Sequence, residues 1–167
     1  KWKTPIPGLG HSSPCIWADH VFITSADDGG KKRIVLDVSA STGKIRWKWE
    51  MDSETYKIHK LSSYASATPA TDGKRVFVPF SKESEYALFA FDLEGNNLWK
   101  RVIGPFESQH GSGTSPILFE DLVIQVASPL GLEYLRAEEN VTFRFNVTDS
   151  CGRNVTGIPA ANMTIKM

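Results

Sequence analysis

The sequence lacks an excess of charge of either sign. Its 167 residues include 19 lysines and arginines and 19 aspartates and glutamates, so the formal net charge is zero. Proteins that bind nucleic acid present clustered positive charge to the phosphate backbone. The balance of charges therefore argues against nucleic acid as a partner.

Long apolar runs are also missing. No stretch approaches the roughly 20 consecutive apolar residues that a membrane-spanning helix needs. The first residues do not have the charged, apolar and small-residue segments of a signal peptide. The sequence therefore predicts no membrane span in this chain.

Cysteine is scarce, since the chain contains only Cys15 and Cys151. Two isolated cysteines do not form the closely spaced pairs of a zinc site. Whether they form a disulfide stays open, because the sequence does not fix the distance that such a bond requires. The composition, 41% hydrophobic and 23% charged, is that of a globular chain with one domain or slightly more.

The sequence does contain a motif that occurs three times. The segments SSPCIWADHVFIT, ATPATDGKRVFVP and TSPILFEDLVIQV align on their prolines, which are Pro14, Pro69 and Pro116. In each segment a serine or threonine precedes the proline, and an acidic residue and a valine follow it. The acidic residues are Asp19, Asp72 and Asp121, and the valines are Val21, Val76 and Val123.

A tryptophan motif alternates with the proline motif. The segments KWK, RWK and LWK contain Trp2, Trp47 and Trp99, and Gly43 and Gly95 precede the last two by four residues. The prolines recur after 55 and 47 residues, and the tryptophans after 45 and 52. Repeats of this length are typical of β-propeller blades and of helical arrays.

Local patterns favour strands over helices. The segments DHVFITSA, KRVFVPF, ALFAFDL and DLVIQVA are short, rich in β-branched and aromatic residues, and bounded by turn residues. Each repeat predicts a short inner strand after the proline, a second strand at the Val-Phe run, a third that ends at Asp37 or Asp92, and an outer strand with the tryptophan. The turns are DDGGKK, STGK, DGKR and EGNN.

The sequence therefore predicts an all-β fold, a partial β-propeller of about two and a half four-stranded blades. Trp47 and Trp99 are expected to pack against a neighbouring blade, and Asp37 and Asp92 to accept hydrogen bonds in turns. Propellers close with typically four to eight blades. We therefore expect the chain to be part of a longer propeller, or to complete a ring with other blades by association.

The tryptophan motif resembles that of a known family. The segments FAFDLEGNNLW and VLDVSASTGKIRW are similar to the tryptophan-docking motif of pyrroloquinoline quinone (PQQ) type propeller repeats. The segments HSSP, SYASATPATDGKRVFV and QHGSGTSP are similar to bacterial propeller proteins related to the lipoprotein that helps assemble outer-membrane β-barrels. The resemblance covers residues 1–128, although the spacing from Asp37 to Gly43 is longer than usual and that from Asp92 to Gly95 is shorter.

The resemblance implies a structural blade motif and a non-catalytic role. The motif residues are Trp2, Trp47, Trp99, Asp37, Asp92, Gly43 and Gly95. The implied function is a scaffold that binds a protein or an envelope component, in the periplasm, in the cell envelope or outside the cell. No cofactor is expected. The alternative is a fragment of a PQQ-dependent dehydrogenase, which would need adjacent cysteines and calcium ligands that this sequence does not display.

The composition changes after about residue 128. Residues 132–167 include VTFRFNVTDSCGRNVTG and NMTIK, which resemble the opening strands of bacterial or archaeal immunoglobulin-like modules; late propeller strands are the alternative. We therefore predict a repeat region over residues 1–128 and a β-rich tail over residues 132–167. The tail has four Asn-x-Thr sequons, at Asn140, Asn146, Asn154 and Asn162, which are glycan acceptors in secreted chains.

Few residues are candidates for ligand binding. His11 and His110 precede the first and third proline motifs, and His59 and Tyr64 precede the second. Because inner strands line the channel of a propeller, these four side chains would meet at one mouth and bind a metal or a polar ligand. The alternative is that they are polar loop residues, since their spacing to the prolines differs. A nucleophile elbow for hydrolysis is absent from the sequence.

Overall fold

The computed structural model describes residues 1–106, 108, 111–119, 122–126 and 145–149. These residues form three antiparallel sheets, and the described part contains no helix. The first sheet contains β1 (Cys15–Trp17), β2 (His20–Ala26), β3 (Lys32–Ser39) and β4 (Ile45–Asp52). The second contains β5 (Ala70–Thr71), β6 (Arg75–Lys82), β7 (Glu85–Asp92) and β8 (Asn97–Gly104). The third contains β9 (Ile117–Phe119), β10 (Leu122–Val126) and β11 (Phe145–Asp149).

Both complete sheets have their strands in sequence order, with each strand hydrogen-bonded to the next. Short inner strands follow Pro14, Pro69 and Pro116, and the four predicted turns join the strands as expected. The fold is therefore all-β, a partial β-propeller, as the sequence predicts.

The repeated serine or threonine before each proline connects neighbouring sheets. The backbone N–H of Ser13 donates to Thr68 Oγ1 at 3.1 Å, and the backbone N–H of Thr68 donates to Ser115 Oγ at 2.9 Å. The two bonds span 55 and 47 residues, which are the intervals of the proline motif. The hydroxyl of the motif is thus an acceptor that joins the inner ends of successive sheets.

Replacing Thr68 by valine should remove this acceptor and destabilise the chain by about 0.5–1.5 kcal/mol, the usual net value of one hydrogen bond. The amide hydrogen of Ser13 should exchange faster in this variant. Thr68→Ser keeps the hydroxyl and should retain both the stability and the slow exchange. Equal effects of the two substitutions, measured by thermal unfolding and hydrogen exchange, would contradict the role given to the hydroxyl.

The first two sheets pack face to face through apolar and aromatic side chains. Trp49 of β4 lies with its ring centroid 4.9 Å from that of Phe91 and 5.5 Å from that of Phe89, both on β7. Buried residues of both sheets and of the segment between them form one continuous core: Phe22, Ala26, Val35, Ala65, Val76, Val78, Phe80, Ala87, Phe89 and Phe91. Aromatic burial of this kind is a large part of what holds adjacent sheets together.

Two of the motif tryptophans lie on the turn of the next sheet. The indole N–H of Trp2 donates to the carbonyl oxygen of Ala40, and that of Trp47 to the carbonyl oxygen of Leu93, each at 2.8 Å. Gly43 and Gly95 have positive φ, and a Cβ on either would lie 2.5–2.6 Å from the tryptophan ring above it. The same contact therefore occurs at both turns, and it requires glycine.

The third motif tryptophan packs on the far face of the second sheet. The ring of Trp99 lies 5.9 Å from that of Phe77, and Trp99 borders the buried cluster that includes Val123 of β10. This cluster joins the second sheet to the third.

The predicted turn role is correct for Asp92 but not for Asp37. The Asp92 carboxylate accepts hydrogen bonds from the backbone N–H groups of Glu94 and Asn96. Burial raises the pKa of Asp92, but a hydrogen bond from the Asn96 side chain and these backbone bonds outweigh it and hold the pKa below the usual value. The corresponding turn residue of the first sheet is Ser39, whose hydroxyl accepts from the N–H of Thr42. Because β3 continues past Asp37 to Ser39, the long spacing from Asp37 to Gly43 is explained.

The third sheet reaches into the predicted tail. Leu122 of β10 pairs with Asp149 of β11, as Arg75 of β6 pairs with Asp92 of β7. The strand Phe145–Asp149 therefore occupies the third-strand position of a third sheet. Residues 127–144 and 150–167, with Cys151 and three of the four sequons, lie outside the described residues.

Candidate functional site

The connecting segments divide between two opposite faces of the sheets. Asp52, at the end of β4, pairs with Lys32, at the start of β3, so residues 53–69 leave the sheet beside the turn of residues 27–31. We call the side with residues 7–11, 27–31, 53–66 and 83–84 the loop face. The two turns that Trp2 and Trp47 contact lie on the opposite side. The loop face has the longest described connection, and His11 and His59 lie on it.

The structure brings the segment of His11 next to that of Tyr64, but it does not form a metal site from them. The backbone N–H of His11 donates to the carbonyl oxygen of Ala65 at 2.9 Å, while its side chain is exposed. His59 is also exposed, and its Nδ1 accepts from the N–H of Leu61 at 3.2 Å. Among the described residues no group of His, Cys, Asp and Glu has the arrangement of a metal site. His110 lies outside the described residues.

The side chain of Tyr64 contacts both the loop and the first sheet. Its hydroxyl donates to the carbonyl oxygen of Tyr56 at 2.6 Å, and its ring covers Gly30, where a Cβ would lie 2.2 Å away. The guanidinium carbon of Arg33 lies 4.4 Å from the ring centroid, within the range of a cation–π interaction. Tyr64 therefore fixes the loop to the first sheet.

Arg33 is a fully buried cation that joins three segments. Its guanidinium donates to the carbonyl oxygens of Gly30 at 2.7 Å, Glu54 at 3.3 Å and Ser81 at 3.2 Å. Burial lowers the pKa of the guanidinium, while Tyr56, Tyr64 and Asp27 act in the opposite direction. No carboxylate of the described residues forms an ion pair with Arg33. It therefore connects the turn of the first sheet, the loop and the second sheet through backbone carbonyls.

A second polar cluster lies at the opposite face. His20 Nδ1 lies 2.7 Å from Oδ2 of Asp37, whose carboxylate is fully buried. Arg46 pairs with Asp19 and lies 3.9 Å from Asp37. The backbone N–H of Ser41 is the largest influence on Asp19 and holds its pKa below the usual value. The cluster fixes the turns of the first sheet.

Neither cluster was found from the sequence. The alternation of β3 could have indicated them, because it places Arg33 and Asp37 on the same face of a buried strand as Val35. Charged residues at such positions require buried partners.

A small cleft of about 70 Å³ lies where the first two sheets meet near the loop face. Met51, Phe80 and Phe89 contribute its apolar lining, and Lys100 and Glu85 pair at 2.6 Å at its edge. The cleft is much smaller than the pockets of about 300 Å³ or more that typically hold cofactors. Cys15 has a free thiol. Burial raises the pKa of this thiol, and a hydrogen bond from the backbone of Thr71 offsets part of the rise.

No protein-family model matches the chain, and no curated protein matches its sequence. Among solved structures, the chain is similar to the crystal structure of BamB from Moraxella catarrhalis, with a TM-score of 0.54 and 14% sequence identity. The similarity covers 89% of this chain and 40% of that BamB chain. It shows the propeller fold. Within the described residues there is no helix long and apolar enough to cross a membrane.

Proposed function

We propose that this chain is part of a non-catalytic propeller scaffold of PQQ-like repeats that binds protein partners through its loop face. The observation that carries the proposal is the location of the repeated residues. The hydroxyl–proline steps and the tryptophan–glycine pairs make contacts between sheets, so the repeated motifs serve the architecture. The connections on the loop face differ between repeats, as residues 27–31 and the shorter 83–84 show, and loops on a rigid scaffold are where binding residues concentrate.

We also propose an extracytoplasmic location. The proposal is supported by the resemblance of the repeats to relatives of an outer-membrane assembly lipoprotein and by the fold similarity to BamB. For residues 132–167, the pairing of Phe145–Asp149 with β10 supports late propeller strands over the start of an immunoglobulin-like module.

The proposal predicts that protein contacts concentrate on the loop face. A photo-crosslinking amino acid at Asp28 or Glu83, both exposed there, should give discrete adducts with extracytoplasmic proteins in the cells that produce the protein. The matched control positions are Lys74, exposed on the opposite face, and Leu98, exposed on the outer strand β8. They should give few adducts.

Equal crosslinking at all four positions, or none at the loop face, would contradict the scaffold proposal. Titration of the purified chain with PQQ and Ca²⁺ tests the dehydrogenase alternative separately. A saturable absorbance change together with dye reduction would favour that enzyme over the scaffold.

A further inference from the structure

The connection between the first two sheets includes a loop with a fixed base. The rings of Tyr56 and Tyr64 meet edge to face with centroids 5.0 Å apart, and the hydroxyl of Tyr64 bonds to the backbone of Tyr56. Arg33 lies under Tyr64 and bonds to the carbonyl oxygen of Glu54, at the start of the loop. The two ends of the loop are therefore held together and against the first sheet.

The base is also attached to the second sheet. The hydroxyl oxygens of Tyr56 and Ser81 are 2.5 Å apart, and the ring of Tyr56 meets that of Phe106 with centroids 5.2 Å apart. Both ends of the loop are thus fixed without a partner. A preformed loop loses little conformational entropy on binding, which favours recognition.

The tip of the loop, residues 57–61, is exposed except at Ile58, which is half-buried. Leu61 is 75% exposed, the highest fraction among the large hydrophobic side chains of the described residues. Leu61 lies in a tight turn, which is closed by a hydrogen bond from the N–H of Ser62 to the carbonyl oxygen of His59 at 2.8 Å. The side chains of Lys57, His59 and Lys60 are exposed around it.

The tip has charge of one sign. Residues 55–71 contain two lysines and no aspartate or glutamate, although the chain as a whole has no net charge. The nearest acid in the sequence, Glu54, lies at the base of the loop. An apolar side chain inside a positive border complements an apolar pocket with an acidic rim.

We propose that this loop tip docks into a partner protein, with Leu61 in an apolar pocket and Lys57 and Lys60 paired with acidic side chains at its rim. The proposal rests on the scaffold function above. A protein is favoured over an anionic membrane, because two lysines and one leucine give only roughly millimolar affinity for a bilayer.

A random dodecapeptide phage library, selected on the immobilised chain, tests the chemistry of this site. The selected peptides should combine a large apolar residue with at least two acidic residues. Leu61→Asp should weaken their binding about tenfold or more, as truncation of a central anchor does. The double variant Lys57→Glu with Lys60→Glu should do the same and should select basic peptides instead.

The matched control is Leu98→Asp, which changes another exposed leucine, on the outer strand β8, and should leave peptide binding unchanged. Thermal unfolding of each variant checks that the exposed substitutions leave the fold intact. Selected peptides without acidic residues, or equal binding to Leu61→Asp, would overturn the proposal. Sedimentation with phosphatidylglycerol vesicles that depends on Lys57 and Lys60 would overturn it in favour of a lipid.

The two proposals fail differently. If the tip is not the docking site but the scaffold function is correct, crosslinks at Asp28 and Glu83 persist while the peptide selection fails. If the loop face binds no protein at all, both sets of signals are absent.

Discussion

Replacing Gly95 by alanine should lower the free energy of unfolding by about 2–4 kcal/mol. Gly95 has a φ of +91°, and an added Cβ would lie 2.6 Å from Cδ2 of Trp47. Both the left-handed backbone and the ring contact therefore oppose a side chain. Because Trp47 belongs to the first sheet and Gly95 to the second, the substitution should loosen the contact between sheets. Urea-induced unfolding measures the loss.

Gly104 provides the matched control, since a Cβ there meets no atom within 4 Å. Gly104→Ala should change the stability by no more than about 0.5 kcal/mol. A double-mutant cycle separates the two causes at Gly95. In the background of Trp47→Ala the added cost of Gly95→Ala should fall to its backbone part, about 1–2 kcal/mol. An unchanged cost in that background would show that the ring contact contributes nothing.

Replacing Arg33 by methionine should destabilise the chain by about 3–5 kcal/mol, because each buried carbonyl oxygen that loses its donor costs about 1–3 kcal/mol. The substitution leaves the carbonyl oxygens of Gly30, Glu54 and Ser81 without their donor. Methionine keeps most of the apolar volume, so the loss reports on hydrogen bonds more than on a cavity. Hydrogen exchange should show residues 53–66 opening more often than the strands.

Arg46→Met is the control for loss of an arginine. Arg46 is partly exposed, its pair with Asp19 lies at the surface, and the buried Asp37 keeps its closer partner His20, so the removal of Arg46 should have a small effect. Arg33→Lys should give a partial loss, because a lysine retains the charge but not the planar set of donors. If Arg33→Met and Arg46→Met lower the free energy of unfolding by the same amount, Arg33 does not join the three segments as described.

The strands and turns of the first two sheets were predictable because their causes are local. The alternation in DHVFITSA places Phe22 and Thr24 on one face, and the glycines of STGK and EGNN supply the positive φ that the turns need. The tryptophan contacts were also predictable in kind, since a repeated large side chain indicates a repeated packing site. These features depend on residues close in sequence or on the period of the repeat.

Ligand binding by His11, His59, Tyr64 and His110 stays a prediction. Of the three that the structure describes, Tyr64 is part of the loop base and the two histidines are exposed. The sequence assigned Asp37 to a turn, whereas that carboxylate is buried beside His20. The alternation of β3 places Arg33 on a buried face, but the sequence does not indicate the carbonyl oxygens to which it bonds.

The sequence by itself therefore determined the all-β class, the four-strand unit and the residues repeated in it, because alternation, turn chemistry and period are local properties of the chain. Only the tertiary structure decided which polar groups are buried together. Arg33 bonds to residues 3, 21 and 48 positions away, and Thr68 joins sheets across 55 and 47 residues. Such partners are selected by how the sheets pack, since a buried charge or donor bonds to whatever acceptor packing brings within reach.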